Sequence, residues 1–162
     1  MIKILFICHG NICRSTMAQS VFTHMVTRLN LLEHFEIDSA ATSREEIGNP
    51  PHYGTVQKLK QENIPLIPHR ARQMTRDDYL YYDYLIGMDS ENMRGMTRIA
   101  GGADSLGKLH KLMEFAGFGE SESRRVRDVA DPWYTGDFDA AYRDITGGLD
   151  GFMEYLKERE AL

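Results

Sequence analysis

An α/β fold, a four-stranded parallel sheet with helices on both faces, is what this sequence predicts. Three observations carry it. Residues 2–7 (IKILFI) are almost wholly apolar and rich in branched side chains, the pattern of a strand buried on both faces. After a short loop, Met17, Ala18, Val21, Phe22, Met25, Val26 and Leu29 recur at spacings of three and four, an apolar helical stripe. Strand-like and helix-like segments then continue to alternate along the chain.

Each element has its own signal. Gly10 and Asn11 suit a tight turn with positive φ, and Ser15 or Thr16 can cap the helix that follows. Residues 35–40 read as a second strand, and the run GNPP at 48–51 breaks the chain. A helix is expected over 54–63, with Val56, Leu59 and Lys60 on one side and Pro65 beyond its end. Thr75 followed by Asp77 and Asp78 marks another helix start. A strand is expected over 83–88, a helix over 90–99, and a short fourth strand over 109–115. Residues 116–137, rich in Gly, Ser, Arg and Asp, read as a long functional loop. Phe138, Ala141, Tyr142, Ile145, Leu149, Phe152, Met153 and Leu156 form the stripe of a last helix. The tyrosines at 79, 81, 82 and 84 read as a helix-to-strand junction with some rings in the core. No repeat or linker divides the 162 residues, so a single domain, 1–162, is expected.

Composition removes whole classes of function. Net charge is 19 − 24 = −5, so no global basic field exists to hold nucleic acid. An anionic ligand needs a local positive site instead. Two cysteines, Cys8 and Cys13, exclude a disulfide scaffold and a four-thiolate zinc centre. The six histidines show no ligand spacing, and neither a metal nor a cofactor is expected. The apolar run at 4–8 is too short for a signal core and nothing later could span a membrane, so a cytoplasmic protein without a membrane partner is expected. Arg124, Arg125 and Arg127 read as a solvated basic loop.

Chemistry concentrates in the loop after the first strand, Cys8-His9-Gly10-Asn11-Ile12-Cys13-Arg14-Ser15. The five residues between Cys8 and Arg14 can turn their amides inward as a nest for an oxyanion, backed by the positive end of the next helix. The same field favours the thiolate of Cys8, the nucleophilic form. Arg14 offers a planar fork for two phosphate oxygens. The Ser15 hydroxyl can hydrogen-bond the Cys8 sulfur as that sulfur becomes a leaving group. A chance spacing is the bland alternative, but strand, glycine-bearing loop, serine and amphipathic helix agree on a site. Far along the chain, Asp131-Pro132 read by itself is a turn.

These motifs resemble the low-molecular-weight protein-tyrosine phosphatase family. The opening loop matches its Cys-x-Gly-Asn-x-Cys-Arg-Ser pattern at every fixed position. Asp38-Ser39-Ala40-Ala41, Pro50-Pro51-His52, His69 to Gln73, Met88-Asp89 and Asp131-Pro132-Trp133-Tyr134 resemble later landmarks, and bacterial members look most similar. The resemblance implies a metal-independent phosphatase with Cys8 as nucleophile, Arg14 as phosphate ligand and Asp131 as general acid and base. It implies that Ser43 and His69 brace Asn11, and that Cys13 is a recessed thiol able to pair with Cys8 under oxidation. The implied partner is a phosphotyrosine protein or small aryl phosphate, handled by a monomer or weakly self-associating chain.

The sequence departs from the pattern at three points. Thr16 replaces a common Pro, and both suit a first helical turn. Glu45 stands where some members carry an aromatic wall, so that wall falls to Tyr53, Trp133 or Tyr134. Ile12 is apolar where arginine-phosphate phosphatases of this family carry Thr, which favours an aryl phosphate. An arsenate reductase on this fold needs a relay of three thiols, and none follows Cys13. A non-catalytic phosphate-binding module ranks last, because Cys8, Arg14 and Asp131 are all present.

Overall fold

The computed structural model describes residues 1–118 and 126–162. Strand β1 (Ile2–Cys8) leads into α1 (Arg14–Arg28), and β2 (Phe35–Ala41) follows after one 3-10 turn. Helices α2 (Tyr53–Gln61) and α3 (Arg76–Tyr81) precede β3 (Tyr84–Gly87). Helix α4 (Ser90–Ile99) leads to β4 (Leu109–Lys111), and α5 (Pro132–Thr135) and α6 (Phe138–Glu160) complete the chain. The four strands are all parallel, in the order β2-β1-β3-β4.

The double burial expected of β1 is present: Ile4, Leu5, Phe6 and Ile7 are fully buried. Their alternation sorts them into two layers. Ile4, Phe6 and Cys8 pack with Met17 and Phe22 of α1 and with Ile145, Leu149 and Phe152 of α6. Leu5 and Ile7 point the other way, onto Tyr79 of α3 and Met96 of α4. The sheet is thus covered on both faces, as an all-parallel sheet must be. The strand order reverses at β1, which opens a crevice at the carboxyl ends of β1 and β3. Of the four clustered tyrosines, Tyr79, Tyr82 and Tyr84 are buried and only Tyr81 is exposed. No helix among the described residues is long and apolar enough to cross a membrane.

Several expected boundaries move. Ser15 and Thr16 do not cap α1 but lie inside it; Cys13 is its N-cap and offers no side-chain cap bond. Helix α2 starts at Tyr53, capped by His52, whose side chain accepts the Gly54 N–H. The fourth strand stops at Lys111, and Leu112–Glu114 form a 3-10 turn. The reason lies in α6. A β-carbon on Gly148 would sit 2.6 Å from Leu112, and one on Gly151 would sit 1.7 Å from the Phe115 carbonyl oxygen. The small helix face draws the chain down onto itself and ends the strand. The long loop expected over 116–137 contains α5. Arg124 and Arg125 lie outside the described residues, and Arg127 pairs with Asp144 at 2.7 Å.

The two glycine environments in α6 give opposite expectations. Gly147 has nothing near its missing β-carbon. Gly147→Ala should stabilise the protein by about 0.5–1 kcal/mol, the ordinary helix-propensity gain. Gly151→Ala makes the same gain but forces backbone apart, so a net loss of roughly 1–3 kcal/mol is expected. Thermal melting checks both, at about 2–4 °C per kcal/mol for a chain this size.

Candidate active site

The loop between β1 and α1 is held by its carbonyls. Those of Cys8 and His9 accept the N–H groups of Thr42 and Ser43, at 3.0 and 3.1 Å. The Ile12 carbonyl accepts His52 N–H at 2.7 Å, and that of Cys13 accepts the Thr55 hydroxyl at 3.1 Å. With the carbonyls turned outward, the amides of residues 9–13 donate to no protein acceptor among the described residues. They are the nest the sequence predicts, at the N-terminus of a fifteen-residue helix.

The left-handed bend falls on Asn11, with φ 59°, not on Gly10. Asn tolerates this conformation because its side chain can bond locally. Here that side chain is buried and makes three hydrogen bonds. Its Oδ1 accepts from His69 Nε2 at 2.7 Å and from Arg72 N–H at 3.2 Å, while its Nδ2 donates to Ser15 Oγ at 2.8 Å. Ser15 Oγ lies 3.0 Å from Cys8 Sγ. Ser15 accepts from Asn11, and its own proton is free to point at the sulfur. Donors run from His69 to Asn11 to Ser15, and Ser15 can extend the chain to a Cys8 thiolate. Burial lowers the pKa of His69, opposed by Asp38, whose Oδ1 lies 3.5 Å from Nδ1, and aided by Arg72. Gly10 contributes space, since a β-carbon there would press on Glu46 at 3.2 Å.

Arg14 is buried to 2% exposure, the one charged side chain in the buried set among the described residues. Its Nη1 contacts Asp89 Oδ2 at 2.8 Å and the Val129 carbonyl at 3.0 Å, and its Nη2 meets Asp131 Oδ2 at 3.2 Å. Burial works against its charge, but Cys8, Asp89 and Asp131 outweigh burial and raise its pKa above the ordinary range. Asp131 Oδ1 accepts the Trp133 N–H at 3.1 Å, so the whole carboxylate is oriented. Cys13 is the opposite case: burial, then the neighbouring Cys8 and Asp131, push its thiol up to about 12, so it stays protonated near neutral pH.

The structure brings together Cys8, His9, Gly10, Ile12, Cys13, Arg14, Asp131, Trp133 and Tyr134 around one cleft, with Asn11 and Ser15 beneath it. Trp133 and Tyr134 stand exposed on its rim, whereas Tyr53 does not line it. Ser43 is elsewhere. Its hydroxyl accepts Glu45 N–H at 3.4 Å, and the bonds to Asn11 come from His69 and Arg72. The Ser43 amide is tied to the His9 carbonyl on the outer side of the loop, and its hydroxyl turns to Glu45. Glu45 meets His9 at 3.1 Å, so acid fills the position without a wall.

Asp89 is the functional residue that local sequence reading misses. Its Oδ1 caps α4 through Asn92 N–H at 2.7 Å while Oδ2 orients Arg14. One signal could have found it: an acid just past a β-strand at the crevice where strand order reverses.

Comparison with known proteins agrees with this geometry. A family model described as low molecular weight phosphotyrosine protein phosphatase matches residues 3–162. The chain is 35% identical over 162 residues to the low molecular weight protein-tyrosine-phosphatase YfkJ of Bacillus subtilis, covering 100% of both chains. The crystal structure of YfkJ superposes with a TM-score of 0.89, covering 98% of this chain and 96% of that one, at 34% identity. A low molecular weight phosphotyrosine protein phosphatase of Pongo abelii is 37% identical over 94% of each chain. The structure of DARP, a Drosophila arginine phosphatase, gives a TM-score of 0.81 at 28% identity, covering 96% of this chain and 98% of that one. With the family model matched over residues 3–162 and the fold shared with the YfkJ structure, this chain belongs to the low molecular weight phosphotyrosine protein phosphatase family.

Proposed function

We propose that the chain hydrolyses phosphotyrosine monoesters in two displacements. The observation that carries this reading is the approach of Asp131 to Arg14, 3.2 Å apart, over a loop whose amides 9–13 have no protein acceptor among the described residues and whose Ser15 hydroxyl lies 3.0 Å from Cys8 Sγ. Cys8 attacks phosphorus; the S–P bond forms as the P–O bond to tyrosine breaks. Asp131 gives its proton to the departing phenolic oxygen, which with a pKa near 10 leaves poorly as an anion. Water then attacks phosphocysteine, Asp131 takes its proton, and the S–P bond breaks. The Ser15 hydroxyl stabilises the sulfur as it leaves. Arg14 and the amides of residues 9–14 hold the equatorial oxygens through both steps.

Ile12, on the cleft, favours an aryl group over the guanidinium that an arginine phosphatase accepts. The same reading gives an enzyme that needs no metal or cofactor and works in the cytoplasm on a phosphotyrosine protein or small aryl phosphate. Chelator-treated protein should release phosphate from p-nitrophenyl phosphate and phosphotyrosine, and far more slowly from phosphoarginine. Asp131→Asn should slow phosphotyrosine turnover by about 10²-fold. It should slow p-nitrophenyl phosphate less, because that leaving group needs less help. Equal losses on both substrates would remove Asp131 from the role of acid.

A further inference from the structure

The ring of His52 takes no part in the steps above, yet it joins three pieces of the site. Its backbone N–H is bound to the Ile12 carbonyl of the anion loop at 2.7 Å. Its Nδ1 accepts the Gly54 N–H at 2.9 Å, which fixes the rotation of the ring. The ring then stacks on Phe138, with centroids 5.3 Å apart and planes 18° from parallel, and meets Trp133 edge-to-face at 5.8 Å and 82°. Phe138 is itself closely seated, since a β-carbon on Gly54 would lie 2.2 Å from its ring. Trp133 has little else to lean on. It is 56% exposed, His52 is its one aromatic neighbour among the described residues, and Pro132 is the only buried residue of α5. Trp133 N–H in turn holds Asp131 Oδ1.

We infer that His52 is a positioning residue for the acid-bearing loop: its ring, pinned to the anion loop and seated against Phe138, sets Trp133 and through it the place of Asp131 relative to Cys8. The inference rests on the reading of Asp131 as proton donor. An acid displaced by a fraction of an ångström transfers its proton less well, and the penalty grows with leaving-group basicity.

Two substitutions separate the ring from the cap. His52→Asn keeps a side-chain acceptor for Gly54 N–H but removes the ring. His52→Phe keeps the ring and removes the acceptor. The measurement is kcat/KM across aryl phosphates of graded leaving-group pKa, with Asp131→Asn in the same series and thermal melting of each protein. His52→Asn should lose about tenfold on phosphotyrosine and no more than about threefold on p-nitrophenyl phosphate. His52→Phe should keep the wild-type slope. In a Trp133→Ala background, His52→Asn should add nothing to the slope, because its route is already cut. Should His52→Asn not fold, Trp133→Ala carries the test, and must steepen the slope without lowering the melting temperature. An unchanged slope, a uniform loss across leaving groups, or full additivity with Trp133→Ala overturns the proposal and leaves Asp131 in place. If Asp131→Asn itself shows no steeper slope, the acid assignment falls and this inference falls with it.

Discussion

Cys8→Ser should lower turnover of any aryl phosphate by on the order of 10⁴-fold or more, with no loss of anion binding. A serine hydroxyl at this position is a poor nucleophile at neutral pH, and Asp131, the proton donor of this first step, cannot also deprotonate it. The Ser15 proton that points at the sulfur is a donor, suited to an anion and useless for deprotonating an alcohol. Binding is a separate matter, because amides 9–13 and Arg14 keep their places through carbonyl bonds that Ser does not touch. Trp133 is the sole tryptophan and lines the cleft, so its fluorescence reports inorganic phosphate titrated into the variant. Undiminished turnover would sink the covalent mechanism. Loss of phosphate binding would show instead that the loop had collapsed.

Arg14→Lys should cost roughly 10²–10³-fold in kcat/KM, the range for removing an oriented donor from a developing anion. The charge survives this change but the geometry does not. Arg14 contacts Asp89, Asp131 and the Val129 carbonyl from two nitrogens at once, all while buried. A single ammonium cannot reach all three and still face a phosphate. At least one buried acceptor is then left unpaired, and a stability loss of about 1–3 kcal/mol is expected alongside the kinetic one. Steady-state kinetics and urea titration of the same preparation check the two effects. Near-wild-type kcat/KM in the lysine variant would show that charge alone suffices.

The anion loop was legible because its signals are local. Cys8, Asn11, Arg14 and Ser15 lie within eight residues, and strand, turn and helix patterns flank them. The layers were legible too, since β1 and α6 display their periods over long runs. What could not be read depends on contacts across the chain. Asp89 reads locally as a helix cap and is one; its second oxygen reaches Arg14, seventy-five residues away. Leu112 and Met113 look like strand, and only the close approach of Gly148 and Gly151 turns them into a 3-10 turn. Ser43 fails for the same reason: its place follows from which neighbour ties down its amide. His52 reads as a residue after two prolines, and the rings it touches are eighty-one and eighty-six positions further on.

The buried Arg14 has one more consequence. Its single positive charge is already shared between Asp89 and Asp131. The backbone amides of residues 9–13 meet no such competitor among the described residues, so the charge of a bound phosphate falls mainly to them. Side-chain charge in this cleft orients the anion, and main-chain dipoles carry it.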